Sequence, residues 1–177
     1  KRVDQLQTET GLLNLAGLFW LQEGQNSFGS DSSNYIIFPQ KAAPVLGSIT
    51  LDQGKVKLLV AKGVEILVDD KPVQVTDLGT DMAENTTVMN FCDLRWYIIQ
   101  RGDRFGIRLR DLKHKRLDEF TGIDRFDVNE RWKIKTTFLP YDPPKKVMVS
   151  SVIGTTRESD CYGAFVFSID GKEYHVE

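Results

Sequence analysis

Short β-branched and aromatic runs recur along this chain about every ten residues, and most are followed by a corner containing glycine or aspartate. That rhythm leaves no room for long helices and directs the chain toward a sandwich or barrel. Residues 35–38 (YIIF) stop at Pro39. Residues 47–51, 55–60 and 64–68 read as consecutive strands, with Gln53-Gly54 and Lys62-Gly63 as the tight turns between them. Residues 73–76 follow the corner Asp69-Asp70-Lys71-Pro72. Residues 96–100 and 105–110 form a hairpin around Arg101-Gly102-Asp103.

Outside this region the signals change. Residues 1–9 space Val3 and Leu6 three apart, which fits a short amphipathic helix ended by Thr10-Gly11. Residues 111–130 are charged and irregular. They read as a connector with at most one helical turn, anchored by Phe120, Ile123 and Phe126. A second β run follows at residues 132–138, 146–153, 162–169 and 172–176, interrupted by the prolines of residues 140–144. Asp170-Gly171 has the composition of a type I′ turn. The chain is therefore expected to be all-β: a helix plus β-sandwich over residues 1–110, a connector over 111–131, and an incomplete second β unit over 132–177. The last strand is expected to have an open edge, to be met by strand pairing or by continuation of the natural chain past Glu177.

Of the 177 residues, 41% are hydrophobic and 27% charged, enough for a sizeable core. The net charge of -2, with Lys and Arg spread along the chain, argues against a nucleic-acid partner. The longest apolar run, residues 11–21, is broken by Asn14 and is shorter than the ~20 residues a transmembrane helix needs. As a signal-peptide core it is preceded by Asp4 and Glu9 and followed by no small-x-small site. The chain starts without Met, so an export signal could already have been removed. Two cysteines, Cys92 and Cys161, fit either one disulfide in an exported protein or two separate thiols.

Reactive motifs are scarce. The two histidines, His114 and His175, are far apart in sequence, and no GxSxG elbow accompanies them. No HExxH, Cys/His cluster or EF-hand spacing occurs, and no glycine loop for phosphates, so neither metal nor cofactor is expected. Asp69-Asp70 is explained by turn chemistry. Arg101-Gly102-Asp103 spells an adhesion tripeptide but equally a hairpin turn. Asn85-Thr86-Thr87 fits a glycosylation sequon. The apolar stripe from Leu12 to Leu21, including Trp20, has too few cations opposite it for a membrane-surface helix and is expected to seal the core. The remaining candidate is the strand carrying Arg104, Arg108 and Arg110. Period 2 sets these on one face and Phe105, Ile107 and Leu109 on the other. Three guanidinium groups on one face can hold a carboxylate or phosphate. The alternatives are a solvated face or internal pairing with Asp103 and Asp111.

Three segments carry a family resemblance: GLLNLAGLFWLQEGQNSFGSDSSNYIIFP (residues 11–39), RGDRFGIRLRD (101–111) and FTGIDRFDVNERWKIKTTFLPYDPP (120–144). Together they resemble the bacterial and archaeal family called domain of unknown function 1684. The resemblance implies an all-β fold in two parts and no established activity; the compartment stays open between a bacterial cytoplasm and the cell envelope. Members of that family usually continue past the equivalent of Glu177, through a segment absent here. The stretch NSFGSDSSNYIIFP with its following hairpins is also similar to the opening of forkhead-associated sandwiches. In those, an Arg directly after a Gly contacts phosphothreonine. Here Ser30 follows Gly29.

Two functions remain open at this level. One is a non-catalytic β module that binds a ligand or partner through Arg104, Arg108 and Arg110. The other is the front portion of an enzyme, hydrolase-like, whose reactive groups lie in sequence not present here.

Overall fold

The computed structural model describes residues 2–150 and 156–177. Two compact units make up the chain, residues 1–123 and 124–177. In unit 1 a helix α1 (Arg2–Gln7) precedes strands β1 (Leu15–Trp20), β2 (Gly24–Gly29), β3 (Ile36–Ile37), β4 (Gly47–Asp52), β5 (Lys55–Val60), β6 (Ile66–Val68), β7 (Lys71–Val73), β8 (Val75–Asp77), β9 (Val88–Phe91), β10 (Leu94–Arg101) and β11 (Arg104–Asp111). One helical turn, α2 (Arg116–Glu119), follows. The strands form a six-stranded sheet in the order β1-β11-β10-β9-β6-β7 and a five-stranded sheet in the order β3-β2-β4-β5-β8. The chain is all-β, as its turn spacing predicts.

Alternation builds the core. In β5, Val56, Leu58 and Val60 are buried while Lys55, Lys57 and Leu59 face out. In β11, Phe105, Ile107 and Leu109 are buried in the same core cluster. Trp96 of β10 lies at its centre, with the rings of Phe28 and Phe38 edge-on at 5.9 and 5.4 Å. The corners predicted from composition are present. Gln53 and Gly54 both have positive φ, 48° and 82°, which suits the right-handed twist of the β4–β5 hairpin. Asp69 and Asp70 do the same between β6 and β7, at 49° and 59°. The strand expected over residues 73–76 is divided between β7 and β8. Edge strand β7 is only three residues long and carries Lys71 and Pro72.

β1, β2 and β9 are not among the strands expected from sequence. β2 (GQNSFG) and β9 (VMNF) contain Asn26 and Asn90, which the alternation rule reads as breaks. Asn26 is fully buried. Its Oδ1 accepts from the Gln22 N–H at 2.9 Å, and its Nδ2 donates to the carbonyls of Gln22, Gly24 and Ile49 at 2.9–3.2 Å. The side chain thus satisfies backbone groups of the β1–β2 corner that would otherwise be stranded.

Unit 2 has one three-stranded antiparallel sheet in the order β12-β13-β14, from β12 (Thr137–Ser150), β13 (Thr156–Ile169) and β14 (Lys172–Val176). The strand expected over residues 132–138 does not form there; β12 begins only at Thr137. Glu130–Trp132 is a 3-10 turn, capped by Asn129, whose side chain accepts from the Arg131 N–H at 2.9 Å. The prolines of residues 140–144 do not end β12. The strand runs through them with a register shift between Pro140 and Lys145, because a bulge absorbs groups that cannot donate to the ladder. Residues 151–153, expected to end that strand, lie outside the described residues. Asp170 and Gly171, at φ 50° and 78°, form the predicted β13–β14 turn. Among the described residues β14 pairs with β13 alone. Of the expected anchors, Phe120 is partly buried, whereas Ile123 and Phe126 are 55% and 97% exposed. Cys92 and Cys161 are both free thiols.

Removal of the central ring should be costly. Trp96→Ala is expected to destabilise unit 1 by about 3–5 kcal/mol, whereas Phe126→Ala should change the same transition by no more than about 0.5 kcal/mol. Urea unfolding followed by far-UV circular dichroism checks both.

Candidate functional site

The face of the six-stranded sheet turned away from the core is where the candidate arginines lie. Antiparallel register sets Leu18, Arg108, Tyr97 and Val88 in one row across β1, β11, β10 and β9. The next row contains Leu15, Arg110, Arg95 and Asn90. On the other side of Arg108, Trp20 and Ile99 flank Gly106. Gly106 is required there, since a β-carbon would sit 3.0 Å from Trp20 Cε3 and 2.9 Å from the Phe19 carbonyl oxygen.

The three arginines predicted as a set have three different environments. Arg104 is exposed, and its guanidinium carbon lies 3.9 Å from the centroid of the Trp20 ring. Arg110 is buried. Its Nη1 donates to the Gly11 carbonyl at 2.5 Å and to Asn14 Oδ1 at 2.7 Å. Arg108 is half-buried beside a shallow cleft of about 320 Å³ lined by residues 15–18 of β1. Among the described residues, none of the three forms an ion pair with a carboxylate. The internal pairing considered from sequence does not occur: Asp111 binds Lys41 Nζ at 2.8 Å and accepts from the Lys113 N–H. Two neighbouring arginines on β10 are matched. Arg95 meets Glu9 at 2.6 Å and Arg101 meets Asp81 at 2.8 Å. The face therefore retains three guanidinium charges with no carboxylate on them.

Two participants were not singled out from sequence. Asn14 seemed only to interrupt an apolar run, yet it is 1% exposed and joins the N-terminal segment to β11. Its Nδ2 donates to the carbonyls of Thr8 and Glu9, and its carbonyl accepts the Asp111 N–H. Arg95 lies just before the strand expected over residues 96–100; its register beside Arg110 is a nonlocal fact. The apolar stripe is itself divided. Ala16, Phe19 and Leu21 pack on the core, whereas Leu12 and Leu18 are exposed and Trp20 is half-buried.

The remaining candidates are accounted for locally. His114 Nδ1 accepts from the backbone N–H of Arg116, and His175 Nε2 lies 2.9 Å from Glu173. Arg101-Gly102-Asp103 is the β10–β11 turn. Asn85 is exposed, and the Thr87 hydroxyl of that sequon accepts the Gly79 N–H. Among the described residues no group of three or more His, Cys, Asp or Glu is placed to hold a metal ion. Among the described residues no helix is long and apolar enough to cross a membrane. In unit 2, Glu177 Oε1 accepts from both the Tyr141 hydroxyl at 2.9 Å and Lys145 Nζ at 2.7 Å. Those hydrogen bonds, Lys145's first, hold the Glu177 carboxyl below its ordinary range. The same bonds push the Tyr141 hydroxyl and the Lys145 ammonium up.

These features define a β-sandwich module followed by a second, smaller β unit. A family model described as "Protein of unknown function (DUF1684)" matches residues 118–177. The third resemblance segment falls wholly inside that span; the first two lie outside it. No curated protein matches the chain. Among solved structures, the chain is similar to the FhaA FHA domain complexed with the intracellular domain of Rv3910, with TM-score 0.36 and 18% identity over 52% of this chain and 97% of that one. It is similar at the same TM-score and identity to an FHA domain from a study of phosphothreonine-dependent FHA domain interactions, over 52% of this chain and 92% of that one. The Rv0020c FHA structure matches with TM-score 0.36 and 17% identity, over 52% and 88%. Likeness at this level assigns no function to the chain. Ser30, which follows Gly29, is buried, and its hydroxyl donates to the Ala42 carbonyl at 2.9 Å.

The differing environments of the arginines should separate in stability measurements. Arg110→Met leaves the Gly11 carbonyl and Asn14 Oδ1 without their buried donor and should destabilise unit 1 by about 1–3 kcal/mol. Arg104→Gln, which loses only an exposed stacking contact, should cost about 0.5–1 kcal/mol. Urea titration of the two variants beside the unaltered protein reads the difference.

Proposed function

We propose that unit 1 is a non-catalytic binding module that receives an anionic group of a ligand or partner on the outer face of β1, β11 and β10, with Arg108 as the principal contact. The observation that carries this reading is the set of three face arginines without a carboxylate partner, when Arg95 and Arg101 beside them have one. Arg108 is the member best suited to an external ligand. Arg110 is committed to the Gly11 carbonyl and Asn14, and Arg104 rests on Trp20. Arg108 has neither commitment, and its half-burial beside a cleft lowers the local dielectric, which strengthens a charge-assisted hydrogen bond. Leu18, Trp20 and Tyr97 surround it with apolar and aromatic surface. Arginine, tyrosine and tryptophan together are the side chains that dominate binding energy at protein interfaces.

Inorganic phosphate is the simplest probe. Isothermal titration at low ionic strength should detect binding to unit 1 that weakens as salt is raised. Arg108→Gln should reduce the affinity by about tenfold or more, while its unfolding transition stays within about 0.5 kcal/mol of the unaltered protein. Equal affinity in the variant, or no phosphate binding at all, refutes the assignment.

A further inference from the structure

The arginine face already holds one anion, and it comes from the chain itself. Glu9 Oε2 lies 2.6 Å from Arg95 Nη1, although 68% of the Glu9 side chain is exposed. Arg95 sits directly opposite Arg110 and therefore one diagonal step from Arg108, on the same face of the sheet. Diagonal neighbours across an antiparallel pair are about 7–8 Å apart, within reach of two long side chains acting on one ligand. Asn90, opposite Arg95 on β9, fixes the orientation of that guanidinium by accepting from its Nε at 2.9 Å.

We infer that Arg95 is a second anion-binding group of the site, that it selects ligands carrying two adjacent anionic groups, and that Glu9 is its competitor in cis. This rests on the reading of Arg108 as the principal contact. The segment before β1 delivers Glu9 by its backbone. The Glu9 carbonyl accepts from Asn14 Nδ2 at 2.6 Å, the Thr8 carbonyl accepts from the same nitrogen, and Arg110 holds the Gly11 carbonyl. Asn14 and Arg110 are buried, so the strap stays in place whether or not the Glu9 side chain carries charge. The Glu9 carboxylate, by contrast, is held only by a solvent-facing ion pair. Such a pair is weak enough for a ligand with two adjacent anionic groups to displace. Arg95 is thus held ready in the correct orientation and is released by exchange of one carboxylate for another anion, without movement of the sheet.

The probe is inorganic pyrophosphate, compared with inorganic phosphate, by isothermal titration at low ionic strength. Glu9→Gln removes the competing charge while leaving the backbone tethers. It should tighten pyrophosphate binding by about two- to fivefold, the worth of an exposed ion pair, and phosphate binding by less. The gain should vanish in the Glu9→Gln/Arg95→Gln double variant. It should also be absent from Asp52→Asn, which removes an exposed negative charge from the other sheet. Unchanged pyrophosphate affinity in Glu9→Gln overturns the inference, as does an equal gain in Asp52→Asn. If Arg108→Gln still weakens binding in that event, the competitor falls and the site stands. If Arg108→Gln has no effect either, both fall.

Discussion

Strand β11 carries two chemistries on one backbone, and unit 1 is arranged around that division. Phe105, Ile107 and Leu109 enter the core beside Trp96, while Arg104, Arg108 and Arg110 leave it on the opposite face. A strand has no third direction, so the residues that stabilise the sandwich and those that give its outer face charge cannot be exchanged. A shift of one residue in the β10–β11 pairing would put guanidinium groups into the core. The same pairing that buries the hydrophobic set therefore also fixes the spacing of the cations.

Arg110 joins the two sides of that division. A buried cation without a carboxylate is costly unless its donors are used, and here a backbone carbonyl and the Asn14 amide oxygen use them. This places a positive charge inside the sheet edge and fixes the segment that carries Glu9. Structural and recognition roles meet in one side chain, so the stability of the strap and the potential at the face are linked.

The parts of this architecture legible in sequence were those governed by neighbours along the chain. The β5 alternation, the Gln53-Gly54 and Asp170-Gly171 corners and the hairpin ending in β11 all follow from spacing of two and from left-handed turn positions. What escaped depended on partners far away. Asn26 and Asn14 read as interruptions because their hydrogen bonds go to backbone that the fold brings to them. Residues 120–132 misled in the opposite direction. Phe126 and Trp132 are large apolar side chains, and composition alone assigns such residues to a core, yet both are exposed. The candidate site divides in the same way. Period 2 placed three arginines on one face, but their separate fates, and the relevance of Arg95, come from register and from Trp20, Asn14 and Glu9.

The short strand β7 has a bearing on how molecules of this kind coexist. With a net charge of only -2, mutual repulsion does little to keep copies apart. At that margin of the six-stranded sheet, Pro72 presents no N–H to an approaching ribbon, and Lys71 would have to shed its hydration. Lateral growth of the sandwich is blocked there by two side chains, so crowding tolerance on that flank owes more to local backbone chemistry than to long-range electrostatics.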